Sequence, residues 1–248
     1  MTIVEQIKLL YDMINVGESK KKIMRIFSIL PHSSPIPIEI KDWIPCDIND
    51  IKWLVDRGWI TRSGRYLFVH QLVQQSIRLQ EAPSLDDCRS LTQSFSTYDF
   101  IPENMNYMFA AERLSLSDAL IHFFKPAPED SEFAAFLGFT ANFHVTQGDY
   151  PLALEYYQKA LAIREKVLGL EHPSTAITYN NLAGVYEDQG DYPLALEYFL
   201  KSYAILFKTF NEDHPHLQIV FLNLKTAYFE SGNSSLPFED WLKEKLEK

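Results

Sequence analysis

The stretches GDYPLALEYYQKALAIREKVLGLEHP (148–173) and GDYPLALEYFLKSYAILFKTFNEDHP (190–215) share nine residues, GDYPLALEY, without a change. His172-Pro173 recurs as His214-Pro215 at the same offset of 42 residues. A nine-residue phrase repeated in register with a distant His-Pro pair marks an internal repeat, and a period of this size is read before any other signal.

Spacing decides what the repeat builds. Ala153, Tyr157, Ala160, Leu161 and Leu168 fall on one helical face, not on the alternate positions of a strand. STAITYNNLAGVYEDQ (174–189) carries a second apolar face with Ile177, Leu182, Val185 and Tyr186. Each unit therefore holds two helices, expected over about 175–189 and 191–210. Gly148 and Gly190 end a helix, because glycine takes the left-handed conformation cheaply. Asp149 and Asp191 follow as N-caps, with Pro151 and Pro193 in the first turn, where a missing N–H costs little. Pro173 and Pro215 restart the chain.

Ala183 and Ala195 are small where two helices must approach, and Tyr186, Tyr192 and Phe199 are large beside them. AITYNNLAGVYEDQGDYPLALEYFLKSYAI (176–205), with the linker EHPSTA (171–176), resembles the tetratricopeptide repeat, in the 42-residue form of kinesin light chains. One pair is expected over about 131–169, a second over 175–210, and a third first helix over 216–231. Lys225 stands where Ala141 and Ala183 stand in the earlier units, which suits an end helix with no close neighbour. SLPFEDWLKEKLEK (235–248), with Trp241, Leu242 and Leu246 on one side, reads as a capping helix.

The chain of 248 residues is 46% apolar, enough for a buried core in one or two domains. No apolar run approaches the roughly 18 residues that span a bilayer, and the first residues lack signal-peptide order. Cys46 and Cys88 lie far apart in sequence, which favours reduced thiols of a cytoplasmic protein over a single structural disulfide. The net charge of −10 is uneven. Residues 1–80 hold 11 basic and 8 acidic side chains, and residues 81–248 hold 12 and 25. The acidic part should repel nucleic acid.

Residues 20–80 follow another plan. KKKIMRIFSIL (20–30), IPIEIKDWI (36–44) and DINDIKWLVDRGW (47–59, capped by Asp47) are expected as helices. ITRSGRYLFV (60–69) has turn residues Ser63-Gly64 between short β-like runs, and HQLVQQSIRL (70–79) is a further helix. Three helices and a hairpin make a winged-helix arrangement. Such a fold binds DNA through its third helix. Here that helix offers Lys52 and Arg57 against Asp47, Asp50 and Asp56, with Arg62 and Arg65 on the hairpin, a poor footprint for nucleic acid. RSLTQSF (89–95), NYMFAAERL (106–114) and SDALIHFF (117–124) are expected as helices of a linking subdomain.

LVDRGWITRSGRYLFVHQLVQQSIR (54–78) resembles the winged-helix segment of the NB-ARC/AP-ATPase (STAND) signalling NTPases. The resemblance implies that His70, in Val69-His70-Gln71, occupies the place of a histidine that touches nucleotide phosphates. The flanking Met and Asp of that family's motif are replaced here, and a cap or core histidine is the other reading. In that family an NTPase core precedes the winged helix. No G-x-x-x-x-G-K-[ST] occurs in this chain, which excludes hydrolysis by that route and points to the C-terminal part of a longer protein.

The chain has no HExxH, no G-x-S-x-G and no paired CxxC, so neither a catalytic residue nor a metal ligand is assigned. His214 and His216 look metal-like in spacing, but His214 copies His172 and reads as a linker residue. Surface remains. The first helix of each pair lines the inner wall of a repeat array. On that wall Asn142, Asn180, Asn181 and Asn223 are expected, with Thr146, Glu187 and Glu230 nearby. An asparagine amide donates and accepts together, which suits an extended peptide backbone. The inner helices lack the Lys and Arg of a clamp for terminal carboxylates, so a neutral or basic segment is the expected guest.

The resulting expectation is a mainly α protein, a winged-helix domain (three helices plus a β-hairpin) followed by α-α superhelical tetratricopeptide repeats. The expected boundaries are 1–19 for an N-terminal helix, 20–80 for the winged helix, 81–130 for a helical linker, 131–232 for the repeats and 233–248 for the cap. The expected role is protein recognition in a signalling NTPase, without enzyme activity or cofactor. A nucleotide-binding domain of the same longer chain and a second copy are further expected partners. The competing expectation is a DNA-binding regulator with a repeat effector domain.

Overall fold

A computed structural model describes residues 17–30, 35–38, 40, 44, 46–97, 110–232 and 236–247. The expected helix over residues 3–16 lies outside them. The chain divides into two compact units, Met1–Pro128 and Glu129–Lys248.

In the first unit, α1 (Glu18–Ile29) buries Ile23, Met24, Ile26, Phe27 and Ile29, the apolar stripe that its sequence spacing dictates. Around it pack α2 (Ile48–Asp56), α3 (Gln71–Gln80), α4 (Leu85–Thr97) and α5 (Ala110–Phe123). Three short strands, β1 (Ile36–Pro37), β2 (Thr61–Ser63) and β3 (Tyr66–Phe68), form an antiparallel sheet in the order β1-β3-β2. Gly64 makes the β2–β3 turn at φ 61°, where a side chain would be strained. Leu67 of the central strand is fully buried and pairs with Ile36 on one side and Arg62 on the other.

Two expectations in this unit are corrected. Ile36 and Pro37 are strand, not the start of a helix. Ile36 precedes one proline and follows another, and a residue before proline is driven to extended conformations. Residues 39, 41–43 and 45 of the same stretch lie outside the described residues. The two helices expected at 106–114 and 117–124 are continuous through α5, because Ser115 and Leu116 offer no break. Residues 106–109 lie outside the described residues.

Side chains close the C-terminal end of α1. Gln74, 3% exposed, donates from Nε2 to the carbonyls of Phe27 and Leu30, each at 2.9 Å. Arg78 Nε donates to Ser28 O at 2.5 Å. These are carbonyls that the helix itself cannot satisfy. At the side of α1, Arg25 grips Asp87 through both terminal oxygens (Nε to Oδ2 3.1 Å, Nη2 to Oδ1 2.9 Å) and also binds Glu81 and Glu18. Cys46 and Cys88 are free, and burial pushes the Cys88 thiol up to about 12.

The second unit alternates helices of two lengths. These are α6 (Ser131–Thr146), α7 (Tyr150–Val167), α8 (Pro173–Asp188), α9 (Tyr192–Thr209), α10 (Pro215–Glu230) and the short α11 (Phe238–Leu246). Each of α6 to α9 packs on the next. Asp149 and Asp191 cap α7 and α9 with the same geometry, accepting from Leu152 N and Leu194 N at 3.3 and 3.2 Å. Gly148 and Gly190 precede them at φ 75° and 78°. Ala141, Ala153, Ala183 and Ala195 are fully buried where helices meet. Ion pairs recur with the repeat as well. Lys159–Glu155 returns as Lys201–Glu197, and Lys166–Glu129 as Lys208–Glu171.

The third pair ends differently. Lys225 is not without a neighbour. Its ammonium reaches Glu239 at 3.3 Å and lies over the rings of Phe221 and Phe238. Phe238 and Leu242 of α11 join the core formed by Leu224, Ala227 and Tyr228 of α10.

The Arg25 cluster yields a test. Burial alone would raise the Asp87 and Glu81 carboxyls, but their hydrogen bonds to Arg25 win and hold both below the usual carboxylate range. Their folded pKa values lie below the unfolded ones. The stabilisation is therefore fully present above about pH 4 and is lost as pH falls through the folded values. Asp87→Asn is expected to cost about 2 kcal/mol at pH 7, read from urea unfolding, because Arg25 stays behind half-paired. The difference from the parent protein should shrink as the pH is lowered below 4.

Candidate functional site

The first helices of the three pairs, α6, α8 and α10, converge on a cleft of about 240 Å³. Asn142, Asn180, Asn181, Glu187 and Asn223 line it, with Tyr157 and Phe199 from the second helices beneath. The repeat thus brings together four expected asparagines and one of the expected acids. Thr146 does not line it. Its hydroxyl donates to its own helix, at Phe143 O, 2.7 Å away. Glu230 does not line it either, although its charge is felt at Glu187.

The asparagines form a ladder across the repeats. The Tyr157 hydroxyl donates to Asn142 Oδ1 at 2.5 Å and is also hydrogen-bonded to Asn181. Asn180 Nδ2 donates to Asn181 Oδ1 at 3.3 Å, and Asn223 Nδ2 donates to Asn180 Oδ1 at 3.1 Å. Burial pushes the Tyr157 hydroxyl well above its ordinary range, so it remains a donor. A primary amide has two N–H donors and a carbonyl with two lone pairs. Asn142 is engaged through its oxygen and Asn223 through its nitrogen, so both retain hydrogen-bonding capacity toward the cleft. Tyr157 was missing from the sequence reading, where it counted only as an apolar face residue. Its phenol does both jobs, since the ring is buried and the hydroxyl reaches the ladder.

Charge gathers at one end. Half-burial raises the Glu187 carboxyl above its usual range, and the negative charges of Asp188 and Glu230 raise it further. A cation brought to this place would favour the charged carboxylate and offset the repulsion from both neighbours.

Gly184 sits in α8 among the lining residues, and a β-carbon built there meets nothing within 4 Å. The same register position holds Asn142 in the preceding repeat and Thr226 in the following one. The glycine therefore widens the cleft without being needed for packing.

His70 is the N-cap of α3, exposed, with Nδ1 accepting from Leu72 N at 3.2 Å. His172 and His214 cap α8 and α10 in the same way, accepting from the N–H two residues on at 3.0 and 3.3 Å. Histidine is not among the preferred N-cap residues; a cap is one of the two sequence readings of His70, whereas the same role of His172 and His214 went unread.

Residues 132–208 match the tetratricopeptide repeat family model. A 52-residue stretch is 44% identical to a clustered mitochondria protein homolog from Danio rerio. That stretch is 21% of this chain and 4% of that protein. Among solved structures, BtubC (BKLC) from P. vanneervenii is 20% identical with a TM-score of 0.51, over 71% of this chain and 66% of that one. It shares the fold. Kinesin-light-chain-like repeats from Podosopora anserina are 22% identical with a TM-score of 0.49, over 71% and 81% of the two chains. A STAND protein with a tetratricopeptide repeat sensor from Pyrococcus horikoshii is 14% identical with a TM-score of 0.36, over 93% and 50%. The second unit is thus built of tetratricopeptide-like repeats, and such repeats point to a protein–protein interaction module. Among the described residues no helix is long and apolar enough to cross a membrane.

Gly184→Ala is expected to stabilise the protein by about 0.5–1 kcal/mol, the helix-propensity difference between the two residues. The measurement is a higher urea midpoint at unchanged slope. A lower midpoint would mean that the added methyl meets an obstacle.

Proposed function

We propose that the second unit holds an extended, neutral or basic peptide segment in the asparagine cleft and that this is its task, without catalysis and without a cofactor. The ladder from Asn142 through Tyr157, Asn181 and Asn180 to Asn223 carries the reading. It fixes a row of amides whose remaining donors and acceptors match a peptide backbone. The acid cluster of Glu187, Asp188 and Glu230 at one end supplies the preference for positive charge.

The first unit, in this proposal, is the winged-helix element of a cytoplasmic STAND-type signalling protein, and the repeats are its sensor. Support comes from the sequence likeness over residues 54–78 and from the order of elements, with β1 between α1 and α2 and the β2–β3 hairpin between α2 and α3. The cap geometry of His70 is compatible with a phosphate contact. With Nδ1 accepting from Leu72, the neutral ring carries its hydrogen on Nε2, the atom that would donate. For α2, DNA binding gains no support. Its Asp50 is tied to Lys20 at 2.7 Å, and Arg57 lies over the Trp53 ring.

The test uses the 248-residue chain and two amide-capped octapeptides, one alternating lysine with alanine and one alternating glutamate with alanine. The side-chain amide resonances of Asn142, Asn180, Asn181 and Asn223 should shift with the first and stay fixed with the second. Gly184→Leu, which puts a bulky side chain into the cleft, should abolish the shifts while the protein remains folded. Affinity for the lysine peptide should fall as pH drops through the raised pKa of Glu187, a decline that starts above the ordinary value of 4.5. Equal shifts with both peptides, or none with either, would refute the proposal.

A further inference from the structure

The repeat provides its own control for a second groove. Between α7 and α8 the seam is closed by polar contacts. Tyr179 donates its hydroxyl to Glu165 at 2.6 Å, and Arg164 reaches from α7 to Ser174 O at 3.1 Å and Thr178 Oγ1 at 2.6 Å. Shifting each residue by 42 gives the seam between α9 and α10. There Glu165 becomes Phe207, Tyr179 becomes Phe221, Arg164 becomes Leu206 and Thr178 becomes Val220. Each of these four polar side chains has become apolar.

The result is an open groove of about 460 Å³ lined by Tyr203, Phe207, Leu217, Phe221 and Leu222. That is within the size range of built binding pockets. Phe207 and Leu222 are 46% and 60% exposed, so the groove presents apolar surface to water. Tyr203 stacks on Phe207 with ring centres 5.6 Å apart and packs on Phe221 at 5.9 Å, which joins α9 to α10 along the wall. Glu212 also lines it and forms no salt bridge among the described residues. Its charge is felt inside, since burial and then Glu212 raise the Tyr203 hydroxyl. Asp213 follows it in the same exposed turn.

We infer that this α9–α10 groove is a second docking site, for a partner segment that presents a bulky apolar side chain beside a lysine or arginine. The apolar residue fills the space between Phe207 and Leu222, and the cation meets Glu212. Charge selects this occupant over a second copy of the chain, because residues 129–248 hold 18 acidic and 9 basic side chains and a copy would bring the same surplus. The site is separate from the asparagine cleft, and neither depends on the other.

The experiment titrates the 248-residue protein with an acetylated, amidated Lys-Leu-Trp-Lys peptide and follows the methyl resonances of Leu217 and Leu222. A Glu-Leu-Trp-Glu peptide is the charge control. Saturable shifts are expected with the lysine peptide, and binding about tenfold or more weaker with the glutamate peptide. The double variant Phe207→Glu, Phe221→Tyr restores the tyrosine–glutamate pair of the α7–α8 seam and should abolish the shifts at an unchanged melting temperature. Leu222→Asn, which copies the half-buried counterpart Asn180, should weaken binding about tenfold without touching the core. Should the double variant fail to fold, Leu222→Asn decides alone. Glu187→Gln, in the other cleft, should leave these shifts unchanged. Absence of shifts, equal binding of the two peptides, or full binding by Leu222→Asn overturns the inference. So does concentration-dependent dimerisation in sedimentation that Leu222→Asn removes, since the occupant would then be a second copy.

Discussion

Close approach of helices at Ala141, Ala153, Ala183 and Ala195 governs the second unit. A methyl group is the whole side chain at each of these places, and all four are fully buried. Helices separated by alanine come nearer than helices separated by leucine, and helix separation follows the side chains at the contact. That nearness puts Tyr157 of α7 within reach of Asn142 on α6 and Asn181 on α8, and puts Asn223 on α10 within reach of Asn180. The polar ladder is thus a product of apolar packing. The place where Lys225 replaces the alanine shows the converse. There the lysine stem and the rings of Phe221 and Phe238 stand between α10 and α11.

Much of this unit could be read from the sequence because its signals were doubled. Gly148 with Asp149, and Gly190 with Asp191, carry turn and cap chemistry that acts within three residues, and each copy corroborates the other. The asparagines were legible as a group because they share one helical face. What escaped were effects carried between helices or by residues with two roles. A phenol that is core by its ring and ladder by its hydroxyl gives no separate signal. The histidine caps at 172 and 214 use Nδ1 as acceptor, a role that composition does not announce. In the first unit no repeat assists. Pro35-Ile36-Pro37 was read for apolar spacing when proline geometry was the stronger constraint, and β1 was missed for that reason.

The two candidate sites differ in how the repeat departs from itself. Within the asparagine cleft, departure is partial, since Asn181 recurs as Asn223 whereas Asn142 gives way to Gly184 and Thr226. Along the α9–α10 seam it goes further, with four polar residues replaced by four apolar ones. A drift toward hydrophobic residues on a buried seam would be neutral packing if the space closed. Here it does not close, and Phe207 and Leu222 stay in contact with water. Exposed apolar surface of this kind costs solubility, so it is a feature that packing alone does not explain.

Electrostatics separates the guest from the scaffold. Lys159, Lys166, Lys201, Lys208, Lys225 and Lys243 are each paired with a nearby acid, and Arg164 is spent on the α7–α8 seam. These exposed pairs add little stability individually. Their larger effect is positional. While they neutralise acids elsewhere on the unit, Glu187, Asp188 and Glu230 beside the cleft and Glu212 and Asp213 beside the groove have no lysine or arginine pair among the described residues. Both candidate sites therefore sit where uncompensated negative charge adjoins a shaped surface. Repulsion of acidic segments needs no contact in either place, whereas a basic segment gains attraction before it is seated and hydrogen bonds or apolar burial afterward.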